Sequence, residues 1–174
     1  MIQLDMPEWW MKSHPGVPDS FHNLGEAVFS KEWVEEASDY LKSFIAYSEE
    51  KYGDRVFAYS FSAGLATEWF DDARFDGSVS EIKQESYRRW LGDPAAVVPT
   101  HEEIYDDSGS VFREPNANAI KYMNFCANLT PDLICHFAGE AQSVIHHQKL
   151  VGVFFGYMDC PSGPYDWQNR TSTN

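Results

Sequence analysis

Cations are scarce in this chain. Thirteen Lys and Arg face 27 Asp and Glu, for a formal charge of −14 at pH 7. Such an acidic excess repels phosphate backbones and anionic lipid, which argues against nucleic acid and membrane as partners. Solubility is the plainer reading of the same charge. Cysteine is also sparse. Cys126, Cys135 and Cys160 are odd in number, widely spaced and outside any C-x-x-C pattern. That argues against a disulfide framework and a structural zinc site. Cys126 and Cys135 read as small apolar residues carried on helices. No apolar run is long enough to cross a bilayer, and no basic-then-apolar leader opens the chain. No G-x-G-x-x-G follows a strand, so dinucleotide binding has little support. The P-loop, G-x-S-x-G, H-E-x-x-H and EF-hand patterns are missing as well. Neither a cofactor nor a metal is expected. Two short N-x-T matches, at Asn128 and Asn169, read as chance.

Aromatic residues, by contrast, are abundant. They make up 16% of the 174 residues, with six Trp, nine Tyr and twelve Phe. The length suits one domain, and 43% hydrophobic content allows a sizeable core. Aromatic rings suit both such a core and a sugar-stacking cleft.

The hydrophobic pattern sets the organisation. Residues 1–6 read as a strand closed by Pro7, and 11–29 as a loop with Pro15, Gly16, Pro18, Asn23 and Gly25 as breakers. Ser30 is an N-cap for a helix over 31–51, with Trp33, Val34, Ala37, Tyr40, Leu41, Phe44 and Ile45 on one face. Gly53 is placed to end it. Val56 to Ser62 alternates apolar residues on both faces, as in a doubly buried parallel strand. An irregular stretch over 63–115 holds one short helix, 81–91, carrying Ile82, Tyr87, Trp90 and Leu91. Two helices follow, 116–129 and 131–148, divided at Thr130-Pro131. Leu150 to Tyr157 is a second two-sided strand. Strand, helix, strand, helices, strand implies a parallel α/β sheet with right-handed crossovers. Helix-to-strand connections are short and strand-to-helix connections long. That places the long loops at the C-terminal strand ends, the catalytic face of a (β/α)8 barrel.

Acids and indoles gather at those strand ends. Pro7-Glu8-Trp9-Trp10 follows the first strand, Glu68-Trp69-Phe70 the second, and Gly156-Tyr157 ends the third. Sugar rings stack apolar C–H faces on indoles, and their hydroxyls need carboxylates and amides. The competing reading makes the Trp residues core filling and Glu68 a surface carboxylate. Asp71 and Asp72 read as loop charges. His14, His22 and His101 fall in predicted mouth loops and come within reach of a substrate. His146 and His147 sit late in a helix, face different ways and read as structural.

The runs PEWW, SKEWVEEASDYLKSFI, YGDRVFAYSFSAGLATEWF, SYRRWL and LVGVFFGY together resemble bacterial β-galactosidase-like glycoside hydrolases related to glycoside hydrolase family 42. These belong to the retaining (β/α)8 clan. The resemblance covers most of the chain and is strongest over YGDRV to EWF. It implies that residues 1–174 form a single incomplete barrel domain covering about strands 3 to 5. It implies that Glu68 is the general acid/base, with Trp9, Trp10, Trp69, Tyr157 and His22 around a carbohydrate substrate. Clan members often carry Asn before the acid/base, where this chain has Thr67. The nucleophile would come from a seventh strand, and no carboxylate here matches it. The chain alone is therefore expected to be inactive, and oligomeric or poorly soluble through its open sheet edges. The compartment stays open between bacterial cytoplasm and periplasm, because a leader would lie upstream of residue 1. The alternative is a non-catalytic carbohydrate-binding or protein-interaction α/β domain.

Overall fold

The structure, a computed structural model, describes residues 1–4, 7–15, 27–63, 69, 79–104, 114 and 116–153. Three short strands form one parallel sheet in sequence order: β1 (Ile2–Gln3), β2 (Ala58–Ser62) and β3 (Leu150–Gly152). Ile2 pairs with Phe61 and Gln3 with Ser62; Ala58, Tyr59 and Ser60 pair with Leu150, Val151 and Gly152. Helices make up most of the described chain. They are α1 (Glu8–Ser13), α2 (Lys31–Tyr52), α3 (Glu81–Leu91), α4 (His101–Ile104) and α5 (Ala117–Ile145), with 3-10 turns at Ala27–Phe29 and Gly53–Arg55. The chain is thus mixed α/β, with a parallel sheet in the expected order.

Helix α2 follows its sequence signals closely. The Ser30 hydroxyl accepts the Trp33 amide at 3.2 Å, and Gly53 passes the chain into a 3-10 turn. Its buried residues are Trp33, Ala37, Ser38, Leu41 and Ile45, a spacing of three and four. Trp33 meets Phe137 of α5 edge-on at 5.6 Å, and Phe137 also contacts Phe61 of β2. The Tyr59 and Phe61 face of the central strand therefore looks onto the helices. Along the α2–α5 seam, Ser38 Oγ lies 2.9 Å from His136 Nε2, and Lys42 pairs with Glu140 at 3.1 Å.

Several expectations need correction. Pro7 stands at the N-cap of a helix that the pattern did not show, α1. The loop expected over 11–29 carries the rest of that helix and the turn at Ala27–Phe29.

The two helices expected around Pro131 are one, since α5 runs through the proline. Proline in a helix interior costs about 3 kcal/mol. Against that, α5 buries one continuous stripe: Tyr122, Phe125, Cys126, Thr130, Leu133, Phe137, Ala141 and Ile145. Each large apolar side chain on it contributes roughly 1.5–3 kcal/mol, so the stripe outweighs the break. The helix ends at Ile145, earlier than expected, where His146 and His147 take φ of 52° and 60°. Cys126 is buried, but Cys135 is exposed.

Among the described residues the strands are less enclosed than their composition suggests. Phe57 lies just outside β2 and is 81% exposed, and Leu150 in β3 is 69% exposed. Among the described residues β3 has a single neighbouring strand, so one of its edges stays open.

Helix α3 turns Tyr87 inward as expected, with Ile82 and Leu91 packed partly buried against the core. It buries Lys83, Gln84, Ser86 and Tyr87, and it leaves Trp90 exposed. Gln84 explains its own burial. Its Nε2 donates to Ala96 O at 2.7 Å, and its Oε1 accepts from Val98 N at 3.0 Å. One buried amide thereby satisfies two backbone groups of the following segment. Gly92 closes α3 at φ 67°, a left-handed position that favours glycine.

Candidate functional site: an aromatic groove beside the first strand

The described part of the site grows out of helix α1. Adjacent residues on a helix point about 100° apart, so Trp9 and Trp10 differ in exposure. Trp9 faces solvent and is 68% exposed; Trp10 turns inward and is 3% exposed. The Trp10 indole stacks on His14 with ring centroids 4.0 Å apart. Its Nε1–H donates to Glu36 Oε2 at 2.5 Å. His14 Nε2 lies 3.6 Å from Glu36 Oε1. A carboxylate on α2 is thus held from two sides by residues of α1.

A second bond joins α2 to the sheet. Trp33 Nε1–H donates to Leu4 O at 3.2 Å, just past the end of β1. Between these contacts lies a groove of about 390 Å³, with Trp9, Trp10, Trp33 and Tyr40 as its rings and Glu36 and Gln3 among its polar lining. Trp10 and Trp33 are buried, whereas Tyr40 is half exposed and, with Trp9, offers open ring surface. The groove is large enough for a small ligand.

Of the residues expected at a sugar site, Trp9 and Trp10 come together here. Trp69 does not join them. It is 2% exposed, packed against Phe61 and Phe137 with centroids 5.8 Å from each, so the core occupies its ring. Its indole nitrogen is buried and has no hydrogen-bond partner among the described residues. Glu68, Tyr157 and His22 lie outside the described residues, as do Thr67, Asp71 and Asp72. His14 serves α1 and Glu36, and His101 opens α4.

Sequence reasoning missed Glu36 and Gln3, and read Tyr40 as core. The signal for Glu36 was its place in the Glu35-Glu36 pair next to Ala37 on the apolar face of α2. Only the position of α1 shows that one of those acids meets an indole. Lys83 was missed as well. It is fully buried, with Nζ 5.5 Å from the Phe29 ring centroid.

Among the described residues no group of three or more His, Cys, Asp or Glu is placed to hold a metal. No described helix is long and apolar enough to cross a membrane. No protein-family model, curated protein or solved structure matches this chain.

Proposed function

We propose that the chain is part of a retaining glycoside hydrolase of β-galactosidase type acting on β-glycosides, built on strands three to five of a (β/α)8 barrel. Glu68 is its general acid/base, and no residue of these 174 is assigned as the nucleophile. The observation that carries the reading is the parallel sheet in sequence order, with an open indole and a held carboxylate just past the end of its first strand. In a parallel α/β sheet ligands gather at the C-terminal strand ends. Glu68 follows β2 at that same end in the sequence. Retaining hydrolysis needs two carboxyls about 5–5.5 Å apart. One protonates the leaving oxygen and later deprotonates water, while the other attacks the anomeric carbon. Trp9 supplies the open stacking face, Trp10 positions Glu36, and Trp69 packs beneath the end of β2. Tyr157 and His22 complete the sugar contacts.

The test joins binding to turnover. Titration with β-galactosides should change tryptophan fluorescence. Hydrolysis of nitrophenyl β-galactoside should appear once a second carboxylate-bearing segment is supplied. Glu68→Gln should then slow unactivated glycosides by about 10²–10⁴-fold, the usual contribution of acid–base catalysis. Unchanged turnover in that variant sinks the Glu68 assignment. Binding without turnover in any context favours the second reading, a sugar-binding module, which the exposed Trp9 and Tyr40 also suit. Absence of both favours a protein-interaction domain.

A further inference from the structure

The groove beside β1 carries charge of one sign. Among the described residues Glu36 is the sole acid in its lining, and neither Lys nor Arg lines it. Lys12, the cation of α1, is engaged with Glu8 at 2.7 Å on the exposed side of that helix. His14, stacked on Trp10, reaches Glu36 Oε1 at 3.6 Å and is not among the residues lining the groove. Two of the three indole N–H groups are committed, that of Trp10 to Glu36 and that of Trp33 to Leu4 O. Among the described residues, Glu36, the Tyr40 hydroxyl and the Trp9 N–H line the groove within reach of a polar ligand. A neutral sugar presents many hydroxyls, and this lining answers few of them. Open aromatic faces beside a single carboxylate are instead the features that recognise an organic cation.

We propose that the groove takes a glycoside bearing a free amine, its C–H face on Trp9 and its ammonium on Glu36. This rests on the carbohydrate reading above and narrows the ligand within it. Three independent features favour the amine. The ammonium forms a charge-assisted hydrogen bond with Glu36, whose orientation Trp10 already holds. The ring faces of Trp9 and Tyr40 attract a cation through their quadrupoles. The field of a chain with charge −14 concentrates cations near its surface.

Calorimetric titration of the protein with three matched ligands tests this: methyl β-galactosaminide, methyl β-galactoside and the N-acetylated galactosaminide. At low salt the amine should bind roughly three- to tenfold tighter than either neutral sugar, the range of a partly exposed cation–π contact with its carboxylate. The preference should vanish in Glu36→Gln, whose amide oxygen still accepts from Trp10, and Trp9→Ala should weaken all three. Added 0.5 M NaCl should erase the preference in the unaltered protein, which keeps the test alive if Glu36→Gln does not fold. Equal affinities for the three sugars, or a preference that survives salt or Glu36→Gln, overturn the amine and leave the carbohydrate reading standing. Binding of none of the three overturns both.

Discussion

Glu49 shows what a single residue contributes to the frame of the sheet. It lies near the end of α2, where Lys149 Nζ reaches its Oε1 at 2.7 Å and also donates to Gly53 O at 2.7 Å. Tyr59 of β2 donates its hydroxyl to the same carboxylate. One acid thus ties the end of α2 to the central strand and to the residue before β3. The Lys149 ammonium, and then the Tyr59 hydroxyl, hold the Glu49 carboxyl below the ordinary value of 4.5. A depressed carboxylate adds stability above its unfolded value and loses it as pH falls. The melting temperature should therefore drop on acidification below about pH 4.5, and drop less steeply in Glu49→Gln. Melts followed by circular dichroism at pH 6, 4.5 and 3.5 would check this, and parallel curves for the two proteins would refute it. Sequence alone marks Glu49 as one of two adjacent acids, Glu49 and Glu50. Its two partners are 10 and 100 residues away, beyond the reach of any local pattern.

At the scale of elements, local signals located most helices and failed where packing overruled them. Ser30, Ser80 and Asn116 each cap a helix by accepting an amide three residues on, at Trp33, Lys83 and Ala119. Such caps are readable from sequence because they involve only near neighbours. Helix α3, over Glu81–Leu91, has the limits expected from its pattern, yet the burial of Lys83, Gln84 and Ser86 and the exposure of Trp90 do not follow from it. Tyr87 is buried as its pattern suggests, but Gln84 is buried beside it, where it satisfies the backbone at Ala96 and Val98. Pro131 is the opposite failure. A strong local stop signal lost to a buried stripe spanning both sides of it. Pro131→Ala should therefore stabilise the protein by up to about 3 kcal/mol, restoring a donor to the helix ladder. A raised denaturant midpoint at constant slope is the expected readout. A lowered midpoint would mean that the packing of α5 on α2 depends on the proline.

For the molecule as a whole, the sheet sets the behaviour. Three parallel strands in a row leave outer edges on β1 and β3 among the described residues. Phe57 and Leu150 are exposed side by side at the start of β2 and β3, where Leu150 N–H donates to Phe57 O at 3.3 Å. Open edges beside exposed apolar side chains favour association. Sedimentation should show species larger than the 19.9 kDa chain at micromolar concentration, with Leu150→Lys shifting the balance toward monomer. A monomer with a sharp two-state melt would count against this. The sequence by itself determined the order of the three parallel strands, the Ser30 cap and the positions of α2 and α3, since each depends on near neighbours or on the periodicity of one segment. Tertiary structure alone decided that Trp9 faces out while Trp10 turns in, that Trp69 belongs to the core, and that Glu36 meets an indole from α1. Those outcomes depend on where a distant element lies against a helix face, and a one-dimensional pattern carries no such distance.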